Sequence, residues 1–433
     1  MCWEINYIFL LFTSTTIDFF CAKKIESSKT KRLKKIWMFG SILSNLSILF
    51  FFKYFNFFTD TIQLSLGVFN IQTVFPDFHI LLPVGISFYT FQSLSYTIDV
   101  YRGSMPAEKH FGYFALFVSF FPQLVAGPIE RACHLIPRLK AVNPFNYQLA
   151  VSGTKLIALG LFKKAVIADR LSPYVSLVFD HPENLEGFPV IIGTVFFAFQ
   201  IYCDFSGYSD IAIGSARVLG VNMMKNFNLP YFSSGFGEFW KRWHISLSTW
   251  FKDYVYIPLG GNKVGKARRH FNLIFTFFVS GLWHGANFTF IIWGIYNGVL
   301  ITIESLVSKY FKVNSKLIKI PFVFFFILIG WIFFRASSIE NAWIIIQQAC
   351  RVDIHQLGIY MFKSESNPIE LYLSFLGIFS LLFFETCQFN IDGFNSKISR
   401  INNYIKWPLY IVIVLTILMI GIFERDQFIY FQF

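Results

Sequence analysis

The chain has 433 residues, of which 55% are hydrophobic and 14% are charged. Soluble domains carry roughly 25% charged residues, so this composition excludes an ordinary soluble protein and predicts a polytopic membrane protein. The formal net charge of +12 does not indicate a nucleic-acid partner, because the basic residues lie in short loops between apolar runs and form no continuous patch. Six cysteines without CxxC spacing indicate neither a zinc site nor a disulfide framework.

Apolar segments and charged loops alternate through the first part of the chain. Residues 6–21 form a short apolar segment, and residues 23–35 carry seven basic side chains, so the positive-inside rule makes that loop cytoplasmic. Residues 36–58 then cross outward, and residues 80–101 return. Apolar runs able to span about 30 Å of hydrocarbon recur to the end of the chain, and we therefore expect one integral-membrane domain over residues 1–433.

Residues 127–169 disturb this alternation. An apolar segment over 111–126 comes first, and Pro128, Glu130, Arg131 and Pro137 then interrupt the pattern. Irregular backbone at membrane depth is tolerated only where protein or a water-filled cavity covers it. The sequence therefore predicts re-entrant or tilted helices here, and a central cavity.

Residues 188–203 are apolar and are followed by the polar motif DFSGYSD at 204–210. One interpretation is that a helix ends at this motif and that Ser209 or Asp210 is the N-cap of a second helix over 211–219. Alternatively, Asp204, Ser206 and Asp210 line a polar cavity. The two interpretations do not exclude each other.

Residues 238–254 have the periodicity of an amphipathic helix. Its aromatic face comprises Trp240, Trp243, His244, Leu247, Trp250, Phe251 and Tyr254, and its polar face comprises Lys241, Arg242, Ser248, Lys252 and Asp253. Such a helix suits a membrane interface or the rim of a cavity. His244 lies at the edge of the aromatic face, and by itself this position favours a histidine that only packs between indoles.

The loop at 258–269 is rich in glycine and in basic residues. It lacks the GxxxxGK[ST] spacing of a P-loop, so nucleotide hydrolysis is not supported. Its backbone amides, beside Lys263, Lys266, Arg268 and Arg269, either hold a phosphate of a cytoplasmic donor or belong to a positive-inside loop without a ligand.

His284 interrupts almost continuous apolar sequence, with segments over 271–283 before it and 286–307 after it. A titratable group in a membrane segment is costly unless it faces a partner or a watery cavity, so His284 is a functional candidate. Alternatively, it only hydrogen-bonds between helices. A helix over 271–283 reaches about 20 Å, which would place His284 beyond mid-membrane. Segments over 322–334, 371–384 and 409–423 complete the predicted crossings.

Two histidines in polar interruptions of an apolar bundle are suited to hydroxyl acylation. A neutral imidazole can take the proton of an acceptor hydroxyl as it attacks a thioester, and a second donor can stabilise the oxyanion or orient the first histidine. Metal binding is the weaker alternative. No HExxH motif is present, and His244 and His284, 40 residues apart, have no nearby Cys or carboxylate at ligand spacing.

Eight sequence blocks between about residues 50 and 335 carry a family resemblance. They are FKY at 52–54, LPVGISFY at 82–89, IDVYR at 98–102, AGPI at 126–129, DFSGYSD at 204–210, FWKRWHISLSTW at 239–250, GGN at 260–262 and GLWHGA at 281–286. In these blocks and their order the chain resembles the membrane-bound O-acyltransferase family. It is most similar to the bacterial branch with the alginate O-acetylase membrane subunit, the peptidoglycan O-acetyltransferase and the teichoic-acid D-alanylation protein.

The resemblance implies an all-α polytopic fold, a ring of roughly ten or eleven tilted transmembrane helices with re-entrant and interfacial helices around a central tunnel. It implies that His284 is the histidine essential for transfer and that His244 faces the same tunnel. Further candidates for the tunnel lining are Trp283, Asn287, Asp204, Ser206, Asp210, Trp243, Lys241 and Arg242. Family members carry another hydrophobic segment before the one matching residues 6–21, so we expect this chain to begin late relative to them.

These features predict an O-acyltransferase, in particular an O-acetyltransferase of an exported polysaccharide or cell-wall glycan, in the bacterial inner membrane. The donor is expected to be acetyl-CoA or an acyl-carrier thioester, with no metal or cofactor bound. The resemblance also implies an external partner of the SGNH-hydrolase-like type. One alternative is D-alanyl transfer to teichoic acid from a carrier protein. Another is a glycan or lipid transporter with a histidine proton relay, for which the inverted repeats that would support it are not evident.

Overall fold

A computed structural model describes residues 6–76, 78, 83, 85–124, 127–142, 144–308, 315–351, 368–391, 397, 401–423 and 428–429. Every regular element within these ranges is helical, so the predicted all-α class is confirmed. Residue contacts divide the chain into two compact units. The first comprises Met1–Val151 and Ser215–Met224, and the second comprises Ser152–Gly214 and Lys225–Phe433. The single domain expected from the sequence stays a prediction.

The first unit holds the described helices α1 (Asn6–Ser27), α2 (Lys31–Leu49), α3 (Phe55–Gly67), α4 (Ile86–Arg102), α5 (Phe111–Ser119), α6 (Phe121–Leu124) and α7 (Ala132–Lys140). A buried carboxylate joins the first two of them. Asp18 of α1 accepts hydrogen bonds from the Ser41 hydroxyl and the Asn45 amide of α2. These donors satisfy the carboxylate, which makes its burial among apolar helices tolerable.

The remaining described helices, most of which belong to the second unit, are α8 (Tyr147–Leu161), α9 (Asp169–Asp180), α10 (Phe188–Val218), α11 (Phe236–Arg242), α12 (Ile245–Phe251), α13 (Lys266–His284), α14 (Phe288–Val307), α15 (Lys316–Arg335), α16 (Ile339–Cys350), α17 (Pro368–Asn390) and α18 (Asn403–Ile420). The short helix α7 and the non-helical residues on either side of it agree with the irregular region that the sequence predicted over 127–169. The later part of that region differs, because α8 continues through a π turn at Phe162–Ala168 into α9.

Among the described residues, six helical stretches are long and apolar enough to cross a membrane. They are Lys31–Gly67, Phe188–Val218, Phe288–Val307, Lys316–Arg335, Pro368–Asn390 and Asn403–Ile420. The predicted polytopic membrane protein is therefore confirmed. Helices α1, α4 and α13, in which the sequence predicted further crossings, are not among the six.

Two predicted segments of the first unit differ from the observed helices. The segment over 36–58 is part of a 37-residue stretch, in which α2 continues through a π turn at Phe50–Tyr54 into α3. The single segment over 111–126 is wrong, because Phe120 is extended (φ −60°, ψ 107°) and separates α5 from α6. Pro122 lies in the first turn of α6, where its missing amide hydrogen costs no helical bond. The beginning of the segment over 80–101, and residues 125–126, lie outside the described residues.

The N-cap interpretation of the motif at 204–210 is wrong. Helix α10 has 31 residues and passes through the motif without interruption. Lys163 and Lys164, from a π turn at Phe162–Ala168, pair with Asp210 and Asp204 at 2.8 Å and 2.7 Å. The lysines compensate the charge of Asp204, which is buried, and of Asp210, which is partly buried, and the motif remains helical.

The single amphipathic helix predicted over 238–254 is also wrong. Helix α11 ends before Trp243, which is extended (φ −100°, ψ 129°), and α12 begins after His244, which is left-handed (φ 42°, ψ 56°). The two predicted faces are nevertheless present: Trp243, His244, Leu247, Trp250 and Phe251 are buried, whereas Lys241 and Lys252 are exposed. The break therefore changes the backbone at one turn and preserves the amphipathic pattern.

Helix α13 is longer than the segment predicted over 271–283. It begins in the basic loop at Lys266 and has 19 residues, which corresponds to about 28 Å rather than about 20 Å. His284 is its last residue, so the basic loop and the histidine lie at opposite ends of one helix.

Candidate active site

The position of His284 is set by a close contact between α13 and α14. A Cβ atom added at Gly281 would overlap the carbonyl oxygen of Phe290. One added at Gly294 would overlap the carbonyl oxygen of Phe277. Small residues allow helix backbones in membrane proteins to approach this closely. The contact lies three residues before His284 and therefore fixes the end of α13.

Aromatic rings surround the imidazole of His284. Its centroid lies 4.9 Å from the rings of Trp283 and Trp293 and 5.2 Å from that of Phe334. His284 is only 5% exposed. Edge-to-face contacts of this kind are favourable and directional, so they hold the imidazole in one orientation, away from bulk solvent.

The turn after His284 is fixed by Gly285 and Asn287. A Cβ atom at Gly285 would overlap the ring of Phe290. Asn287 is the N-cap of α14: its Oδ1 accepts from the Thr289 amide at 3.0 Å, and its Nδ2 donates to the Ser337 carbonyl at 2.9 Å. Asn287, a predicted lining residue, is thus bonded into the turn that positions His284.

His244 is 1% exposed and occupies a strained backbone position. A left-handed conformation costs a non-glycine residue about 1–2 kcal/mol, and such strain persists only where the surroundings impose it. Here Asn226 imposes it, because its carbonyl accepts from the Ile245 amide at 2.9 Å and its Oδ1 accepts from the Ser246 amide at 3.2 Å. The same Oδ1 lies 3.2 Å from Nδ1 of His244.

The two histidines approach the same indole. The ring centroid of His244 lies 6.2 Å from that of Trp283, and the Trp283 centroid lies 4.9 Å from that of His284. The fold therefore brings together two histidines that are 40 residues apart in the sequence. This cluster of His244, Trp283 and His284 is the candidate active site.

The motif at 204–210 reaches this site through Phe205 and Ser209, neither of which was predicted to line it. The Phe205 ring contacts the His244 ring at 4.5 Å, and the Ser209 hydroxyl accepts from Nδ2 of Asn226 at 3.1 Å. Asn226 itself belongs to no recognisable motif, so no signal in the sequence identified it.

The predicted residues of the same motif make other contacts. Asp204 pairs with Lys164 and accepts from the Ile429 amide at 2.7 Å, and Asp210 pairs with Lys163. Ser206 is buried, and its hydroxyl has no hydrogen-bond partner within the described part of the chain. The two carboxylates thus belong to ion pairs with the neighbouring lysines of the π turn.

The three remaining lining candidates lie on or next to α11. Trp243 is buried in an aromatic cluster, 4.9 Å from the ring of Trp331. Arg242 donates to Glu238 at 2.7 Å and to the Asn228 carbonyl at 3.1 Å. Lys241 is exposed. The first two therefore support the turn that carries His244. Within the described ranges, no group of three His, Cys, Asp or Glu side chains is placed to hold a metal ion.

Comparison with known proteins identifies the family. The model of the membrane-bound O-acyltransferase family matches residues 107–341. The chain is 39% identical over 344 residues to the probable alginate O-acetylase AlgI of Azotobacter vinelandii, a match that covers 79% of this chain and 68% of that protein. It is 35% identical over 370 residues to the peptidoglycan O-acetyltransferase of Helicobacter pylori, covering 78% and 69%.

A more distant relative is the teichoic acid D-alanyltransferase of Bacillus subtilis, with 26% identity over 286 residues, 61% of this chain and 72% of that protein. The matches to the two O-acetylating relatives span about two thirds of their length. The resemblance inferred from the eight sequence blocks is confirmed. The chain therefore belongs to the membrane-bound O-acyltransferase family and is an acyltransferase.

Proposed function

We propose that the protein is an O-acetyltransferase that moves an acetyl group from a cytoplasmic thioester toward hydroxyls of an exported polysaccharide or cell-wall glycan. The observation that carries this proposal is the pairing of two buried histidines across Trp283 in a chain that is 35–39% identical to two O-acetylating relatives. We place it in the bacterial inner membrane, with acetyl-CoA or an acyl-carrier thioester as donor.

His284 is the general base of the proposed reaction. It takes the proton of the acceptor hydroxyl while the oxygen attacks the thioester carbonyl, so that a C–O bond forms and the C–S bond breaks. The proton then passes from His284 to the leaving thiolate. The aromatic rings around His284 keep water from competing with the acceptor.

His244 assists as a neutral hydrogen-bonding group. It lies outside the six candidate spans, and burial lowers the pKa of its imidazole to about 3, so it is uncharged at neutral pH. A general base works best with a pKa near the operating pH, and His244 is poorly matched to that task. It is suited instead to orienting the acceptor hydroxyl through a hydrogen bond.

The donor is proposed to approach the end of α13 opposite His284. Lys263, Lys266 and Arg268 are exposed there, and they provide positive charge for a donor phosphate. An external acyl-transferring protein of the SGNH-hydrolase-like type is the proposed partner on the other side of the membrane.

D-alanyl transfer is the second candidate, favoured only by the relative from Bacillus subtilis. It would require an aminoacylated carrier protein as donor. The transporter alternative is set aside, because the chain is a member of an acyltransferase family.

The test is the ester-linked acetyl content of purified surface polysaccharide and of peptidoglycan from cells with wild-type protein, a deletion, or His284→Ala. His270→Ala, which removes a histidine from the same helix, is the matched control, and membrane abundance is measured for each variant. We expect His284→Ala to match the deletion and His270→Ala to match wild type. The fraction that loses acetyl then identifies the acceptor. Unchanged acetyl in every fraction would overturn the proposal and direct attention to D-alanine.

A further inference from the structure

Asn226 makes several contacts around His244, and the proposed reaction assigns no role to this residue. It is buried, and it lies between α10 and α11. Its Oδ1 is 3.2 Å from the Ser246 amide nitrogen, 2.9 Å from the Ser246 hydroxyl and 3.2 Å from Nδ1 of His244. Its Nδ2 donates to the Ser209 hydroxyl at 3.1 Å.

These contacts determine which way the Asn226 amide points. The Ser246 backbone N–H is a donor and cannot accept, so the atom it faces must be the amide oxygen. A flipped amide would set an NH2 group against that N–H and leave two donors facing each other. The hydrogen-bond network thus assigns Oδ1 to the His244 side.

The orientation of the amide in turn determines the tautomer of His244. Oδ1 only accepts, so Nδ1, at 3.2 Å, must carry a proton to bond with it. The competing arrangement has the Ser246 hydroxyl donating to Nδ1. That requires a hydrogen bond of 3.5 Å, beyond the usual range, and sets a nitrogen lone pair against the lone pairs of Oδ1.

We infer that Asn226 is a positioning residue of this acyltransferase, which holds His244 as the Nδ1–H tautomer and so keeps the lone pair on Nε2. Asn226 also holds the left-handed turn at His244 through the Ile245 and Ser246 amides. One residue therefore fixes both the backbone and the ring of the second histidine. The inference rests on the proposed function for its effect on rate, but the tautomer itself can be measured without any activity.

The first arm of the test is nitrogen NMR of the reconstituted full-length protein labelled with 15N-histidine, with the His244 signals assigned by their loss in His244→Gln. We expect wild type to show a protonated Nδ1 and an unprotonated Nε2. Asn226→Asp, which keeps an oxygen acceptor, should show the same pattern, and Asn226→Ala a mixture of the two tautomers. A wild-type protein with Nε2–H would overturn the inference, whether or not the variants accumulate.

The second arm is the rate of acetyl transfer, normalised to protein abundance. In metal sites, loss of a partner that orients a ligand histidine typically costs about 10- to 100-fold, and we expect Asn226→Ala to lower kcat by a similar factor with little change in the KM for the donor. Asn226→Asp should recover most of the rate. Asn297→Ala is the matched control, since Asn297 is also buried and donates to a backbone carbonyl of its own helix.

The outcomes separate the two claims. If wild type transfers acetyl and Asn226→Ala transfers it equally fast, the inference fails and the proposed function stands. If wild type shows no His284-dependent transfer, the proposed function fails, and the tautomer measurement still decides the role of Asn226.

Discussion

The imidazole of His244 lies edge-to-face with the indole of Trp283, at 6.2 Å between ring centroids. Because Trp283 also contacts His284 at 4.9 Å, a single indole joins the two histidines. Trp283 is buried, so its side chain is held against both imidazole rings. We therefore expect the positions of the two histidines to depend on the size of this side chain.

Substitution of Trp283 tests that dependence. Trp283→Ala leaves a cavity and should destabilise the protein by about 3–5 kcal/mol, with loss of transfer activity, whereas Trp283→Phe should keep part of both. Trp343→Ala is the control, because Trp343 is largely exposed on α16. Thermal unfolding in detergent and labelled-acetyl transfer are the measurements. Full activity of Trp283→Ala would show that the indole does not set the geometry of the histidines.

The left-handed backbone of His244 predicts that its glycine variant is more stable than its alanine variant. His244→Gly and His244→Ala both remove the imidazole, but only glycine adopts a φ of 42° without strain. The glycine variant should therefore be more stable than the alanine variant by about 1 kcal/mol, and both should lose most of their activity. Equal unfolding temperatures for the two variants would mean that the backbone at this turn relaxes when the ring is removed.

The contact of α13 with α14 predicts a strong effect of adding one methyl group. In Gly281→Ala the new Cβ meets a backbone carbonyl of α14, which cannot turn aside as a flexible side chain would. The helices must separate, and we expect a loss of about 1–3 kcal/mol of stability together with displacement of His284 and loss of transfer.

Gly265→Ala is the matched control for this substitution. Gly265 precedes the same helix and has open space where its Cβ would lie. It should unfold at the wild-type temperature and retain activity. A Gly281→Ala variant that behaves like Gly265→Ala would contradict the close packing described for the end of α13.

A pH dependence of stability is expected in the first unit, at Glu108 between α4 and α5. Burial by itself raises the pKa of this carboxyl. Lys140, 2.6 Å away, and the amides of His110 and Lys109 together lower the pKa by more than burial raises it, so that it lies below its usual 4.5. A lowered pKa contributes stability above the unfolded-state value, and this contribution is lost as the pH falls through the folded-state value.

The unfolding temperature of wild type should therefore fall as the pH drops below about 4.5. Glu108→Gln should have a lower unfolding temperature at neutral pH and a smaller decrease on acidification. Glu183→Gln, at an exposed carboxylate, should follow wild type across the whole series. Parallel curves for wild type and Glu108→Gln would contradict the stabilising role of this ion pair.

The amphipathic pattern of residues 238–254 was predicted correctly, but the helix break was not. Side-chain type alone decides which face is buried, so Trp243 and Leu247 could be assigned from the sequence. The break at His244 depends on hydrogen bonds to Asn226, which lies 18 residues away along the chain. Local periodicity carries no information about such a contact.

The motif at 204–210 is a second case in which a contact with a distant residue determines the backbone. Its polar residues suggested a helix end, yet α10 continues because Lys163 and Lys164, some 40 residues earlier, meet the carboxylates. The two histidines could be singled out because titratable groups stand out in apolar sequence. Asn226 could not, since its importance arises only from where the fold places it, and Ser209 was singled out only as a possible N-cap.

His284 is proposed to carry the acyl transfer. The most direct measurement is the transfer of labelled acetyl from a thioester donor to glycan or partner protein in isolated membranes that contain equal amounts of wild type, His284→Ala or His270→Ala. We expect transfer with wild type and His270→Ala and none above background with His284→Ala. Equal transfer by wild type and His284→Ala would contradict it.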